Sequence, residues 1–135
     1  MNAKSFTCIV CPAGCRLTAT PEAAGTWRVE GNRCARGNLY ALAEMTDPKR
    51  TVTAVVRTGS AVLPYAPVRT DRPIARDLVF PLLKALCTCE VRPPFAAGDI
   101  VLRDFAGSGV NVFLTRSENS QPTPAPWQTD VKEKT

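Results

Sequence analysis

Apolar and polar residues alternate over Arg16–Thr20 and again over Thr26–Glu30, which predicts two strands joined by the turn material of Pro21–Gly25, with Trp27 and Val29 on one face. Gly31-Asn32 then supplies a tight turn. Arg36–Met45 contains no proline and spaces Leu39, Leu42 and Met45 three residues apart, a short helix that must end before Pro48. The β-branched run Thr51–Arg57, the Thr58-Gly59-Ser60 turn and Ala61–Leu63 read as a hairpin. Pro64 and Pro67 predict an edge strand or an irregular crossing next. Asp77 is a candidate cap for a helix with Leu78, Leu82, Leu83 and Leu86 on its apolar face, its regular start delayed by Pro81. Gly98–Phe105, the Gly107-Ser108-Gly109 turn and Val110–Thr115 predict a closing hairpin. From Ser117 onward, spaced prolines among polar residues argue against packed structure.

These elements define an α+β chain. Residues 1–47 form a small Cys-rich metal-binding lobe, 48–116 a small mixed helix and β-hairpin domain, and 117–135 a disordered Pro-rich tail. A length of 135 residues and 44% hydrophobic content suit one ordinary core with a small lobe attached. No segment approaches the run of about 18 apolar residues needed for a membrane span, and the start lacks the apolar stretch of a secretory leader. The expected location is therefore cytoplasmic.

The net charge is +5, and its positive excess lies in residues 1–116, since the tail carries Lys132 and Lys134 against Glu118, Asp130 and Glu133 and is itself net negative. Such an excess suits acidic partners, phosphorylated molecules or nucleic acid without choosing among them. Histidine is absent altogether, which removes imidazole ligands, the commonest general base and the Cys-His pairs that activate catalytic thiols.

The densest chemistry lies in Cys8-x2-Cys11-x3-Cys15-x18-Cys34. In a reducing compartment, closely spaced thiols favour metal binding over a disulfide framework. Four thiolates suit zinc or an iron-sulfur cubane. Zinc ribbons commonly use two short knuckles, whereas here three near-contiguous cysteines face a lone fourth, an arrangement better matched to a [4Fe-4S] cluster. Gly14 lets the loop turn tightly with N–H groups toward sulfur. Arg16, Arg33 and Arg36 flank the ligands and would offset the negative charge of a thiolate-held cofactor.

The stretch from Phe6 to Thr20, followed by Trp27–Gly37, resembles the first cluster-binding segment of the molybdopterin oxidoreductases. That resemblance implies Cys8, Cys11, Cys15 and Cys34 as ligands of a [4Fe-4S] cluster, with Arg36 where the family often places a lysine between cluster and pterin. It spans only about the first 37 residues and implies no molybdenum chemistry. The chain as far as Arg116 is more similar to a small bacterial family of unknown function with a CxxCPxGC start, often encoded beside FAD-dependent glycerol-3-phosphate dehydrogenase-like proteins. The shared stretches are Cys8–Cys15, Val29–Gly37, Asp47–Thr53, Pro67–Thr70, Arg72–Asp77, Ala97–Val101 and Val110–Arg116. This resemblance implies an accessory or electron-transfer role beside a flavoprotein.

Other residues read more plainly. Cys87 and Cys89, on an extended segment, would share one side, and the lack of a neighbouring histidine and the apolar sequence before them favour buried or incidental thiols over a second site. Arg69, Arg72 and Arg76 alternate with Asp71 and Asp77, a solvated charged face before it is a docking surface. Asp99 and Asp104 lie five residues apart and form no catalytic pair. The expected function is an iron-sulfur accessory protein that exchanges electrons with a FAD-dependent dehydrogenase, a non-catalytic redox subunit before an independent enzyme. The alternative is a structural-zinc interaction or nucleic-acid-binding module; scattered aromatics and the lack of a basic stripe disfavour nucleic acid.

Overall fold

The computed structural model describes residues 2–119. Among them the chain is mixed α+β, with two α-helices and several sheets. It divides into two compact units between Lys49 and Arg50.

In the first unit, β1 (Lys4–Thr7), β2 (Arg16–Pro21) and β3 (Trp27–Glu30) form an antiparallel sheet in that order. Lys4 pairs with Ala19 and Thr7 with Arg16, while Thr18 pairs with Glu30 and Pro21 with Trp27. Alternation along β2 turns Leu17 and Ala19 inward, where both are fully buried. Helix α1 (Ala35–Thr46) packs Ala41 against Leu17 and Cys8, with Phe6, Cys15, Val29 and Tyr40 around them. Phe6 and Tyr40 meet edge to face at 6.1 Å.

The second unit is built on β5 (Thr53–Thr58), β6 (Tyr65–Thr70), β8 (Glu90–Val91), β9 (Ile100–Leu102) and β10 (Val112–Leu114), in the order β8-β5-β6-β10-β9. Only the β5–β8 pair is parallel. Two short strands, β4 (Lys49–Arg50) and β7 (Ile74–Ala75), form a separate ladder. Val56, Val68, Val112 and Leu114 point from the sheet to one side and enclose, with Ile74, the buried Leu82 and Leu86 of α2 (Val79–Thr88).

Several predicted elements shift for identifiable reasons. Ala61–Leu63 forms no returning strand, because the Val62 and Leu63 N–H groups donate to Ser60 Oγ at 3.2 and 3.1 Å and curl the chain into a turn. The return is β6, and it runs through the middle of the sheet despite Pro67. Proline is tolerated there because its missing N–H falls where the β10 ladder ends: Leu114 pairs with Val68, and beyond it only the Pro67 carbonyl is used, accepting from Thr115 N at 3.0 Å. Asp77 caps nothing; it lies in a 3-10 turn (Arg76–Leu78) ahead of α2. Pro81 is the third residue of α2, within the first turn, where N–H groups have no intrahelical acceptor. The first residues assigned to the tail are held in place, since Phe95 and Glu118 exchange two backbone hydrogen bonds of 2.9 Å and Ala97 N donates to Ser117 Oγ. The remainder of the predicted tail, from residue 120, lies outside the described residues.

Candidate functional site

The β1–β2 connection carries three of the four cysteines. Its ends are tied by a 2.8 Å hydrogen bond from Cys8 N to Cys15 O. Gly14, at φ +58°, makes the turn that returns the chain to β2. Cys8 is 6% exposed and packs in the core with Leu17 and Ala41, whereas Cys11 and Cys15 are half-buried.

Cys34 arrives from another direction, as the extended residue directly before α1. Gly31, at φ +88°, turns the chain after β3. Asn32 Nδ2 donates to the Cys34 carbonyl at 3.2 Å, and Gly37 N donates to the same oxygen at 3.2 Å. The exposed Cys34 sulfur makes no capping hydrogen bond. It nevertheless sits in the positive field of the helix start: the backbone N–H groups of Gly37 and Arg36, aided by the Arg36 guanidinium, hold its thiol below the usual value.

Gly37 connects the two cysteine segments. A methyl group there would lie 3.9 Å from Cys8 Sγ and 3.1 Å from Asn32 Cβ. The first turn of α1 therefore has Cys8 on one side and Cys34 at its head. Arg16 and Arg33 are exposed and make no ion pair among the described residues. All six cysteines are free thiols. Among the described residues, no group of three or more Cys, Asp or Glu side chains stands close enough to hold a metal ion. The donor chemistry fits a thiophilic metal; the four sulfurs are not gathered into a ligand set.

The contact that brings Gly37 beside Cys8 is not visible in sequence spacing, because it crosses the unit. The other candidates have local roles. Cys87 lies in the last turn of α2 and is exposed, not on an extended segment; Cys89, half-buried, donates its thiol to Ala85 O at 3.3 Å. Arg72 pairs with Asp71 at 3.4 Å and Arg76 reaches Asp77 at 4.0 Å. Asp99 accepts from Ala96 N, and Asp104 from Gly109 N, so both shape turns. No described helix is long and apolar enough to cross a membrane.

Residues 35–116 match the family described as "Protein of unknown function (DUF1667)". The chain belongs to that family. The matched segment begins at the first residue of α1, directly after Cys34, so the cysteine array precedes it. No curated protein matches the chain. The NMR structure of Clostridium perfringens protein CPE0013 is similar, with 21% identity and a TM-score of 0.49, over 56% of this chain and 89% of that one.

Proposed function

We propose that the N-terminal unit of this family member is a thiolate-ligated redox centre, in which Cys8, Cys11, Cys15 and Cys34 hold a [4Fe-4S] cluster. The observation that carries the reading is the placement of Cys8 and Cys34 around the first turn of α1, in a unit whose buried apolar side chains, among the described residues, are Cys8, Leu17, Ala19 and Ala41. So small a core gives limited stability by itself, and natural domains of this size commonly add a metal or cross-links. The backbone N–H groups at the helix start, with Arg16, Arg33 and Arg36, oppose the negative charge of four thiolates. When bound, such a cluster supplies one-electron transfer. The partner we assign, a FAD-dependent dehydrogenase-like protein, rests on the family resemblance in the sequence.

Anaerobic purification with iron, sulfide and zinc analysis tests the reading. About four irons and a broad absorbance near ~400 nm are expected. The small core equally favours a structural zinc ion, and one zinc per chain without sulfide would replace the redox centre with an interaction module.

A further inference from the structure

We infer that the outward face of the second unit's sheet binds single-stranded nucleic acid. Residues scattered through the sequence meet there by strand register. Arg57 of β5 lies opposite Tyr65 of β6, and Arg69 of β6 lies opposite Phe113 of β10, which is in turn paired with Ile100 of β9. Because side chains alternate along a strand, all five point away from α2, as does Val55. Tyr65 is 57%, Val55 55% and Ile100 40% exposed, so this face is an open apolar platform.

Its charges select the occupant. The Arg69 guanidinium stacks over the Phe113 ring at 5.4 Å from the centroid, forming a planar cationic surface suited to a base. Neither Arg57 nor Arg69 makes an ion pair among the described residues, and Glu90, beside Arg57 on β8, is engaged by Arg92 at 3.4 Å. A second copy of a chain with net charge +5 would set these arginines against one another. A polyanion with planar bases satisfies both features: bases stack on Tyr65 and on the Phe113–Arg69 pair, while Arg57 and Arg69 meet phosphates. Tyr65 and Arg69, four residues apart on one strand, are separated by about 13 Å, a span that an extended strand covers with a few nucleotides.

The test is fluorescence anisotropy of the full chain with fluorescein-labelled dT and rU oligonucleotides of about 12 nucleotides. Binding that weakens steeply with salt is expected, and a preference between the two probes identifies the sugar. Tyr65→Ala, at an exposed position that leaves the core intact, should weaken binding at least ~5-fold. Arg57→Gln with Arg69→Gln should flatten the log-log salt slope by about 1.4, while Lys84→Gln, on α2, leaves affinity and slope unchanged. Absence of binding at about 50 mM salt and ~100 µM protein overturns the inference. So does binding that polyglutamate displaces and Tyr65→Ala leaves intact, which would mark a surface for an acidic protein. An equal effect of Lys84→Gln overturns it as well, as diffuse charge attraction.

Discussion

A methyl group at Gly31 would collide with the Arg16 carbonyl oxygen, and the residue already sits at φ +88°. Gly31→Ala must therefore move backbone as well as adopt a left-handed conformation that costs a side-chain-bearing residue about 1–2 kcal/mol. The expected result is a loss of more than about 2 kcal/mol, read as a lower urea midpoint. Gly25→Ala, also at positive φ but with open space around it, should lose less. The Gly31-Asn32 turn is legible from residue types, because few residues other than glycine accept that φ. The contact with Arg16 is not, since it comes from the neighbouring strand β2. Asp71 makes the same point with charge. It receives hydrogen bonds from the backbone and side-chain N–H groups of Asn111 at 3.0 Å, and the backbone bond leads the causes that lower its pKa, with Arg72 adding to the shift. A depressed folded pKa gives stability that is present above the ordinary carboxylate value and fades as pH falls below it. Asp71→Asn should accordingly narrow the stability difference between neutral and strongly acidic pH, measured by urea unfolding across that range.

At the scale of elements, α1, β2, β3, β5 and the β9–β10 hairpin follow from periodicity, because each has a plain apolar pattern and is closed by glycine, proline or a polar turn. Proline misleads at β6. Its effect depends on where the missing N–H points, and that is set by the length of β10, a strand more than forty residues away in sequence. Ser60 likewise redirects Val62 and Leu63 through a side-chain oxygen that hydrophobicity does not register. Helix α2 depends on its buried side. Leu86 is 2% exposed and joins Val56, Val68 and Leu114 in one core, whereas Phe80 of the same helix is exposed. Leu86→Ala should cost about 2–5 kcal/mol through lost burial and a residual cavity. Phe80→Ala should change the thermal midpoint little, and the pair separates core packing from helix propensity.

At the scale of the whole molecule, the spacing of four cysteines exposes a candidate site but not the fold around it. Three thiols ride on one hairpin and the fourth directly precedes α1, so whether they can be drawn together depends on how α1 packs against β2 and β3. That packing rests on Ala41, Leu17 and Cys8 itself. On the proposed reading Cys8 is both ligand and core, and metal loading would then be coupled to folding of the first unit. The second unit has its own larger core. Cys8→Ser should abolish iron retention and lower the protection of residues 2–49 in hydrogen exchange, with protection in β5, β6 and α2 retained. Cys87→Ser, at an exposed thiol outside the array, should leave iron content and exchange in both units unchanged. Uniform loss of protection after Cys8→Ser would instead show that the two units unfold together. Intact iron content in the Cys8→Ser protein would remove this residue from the ligand set and leave it a packing role alone.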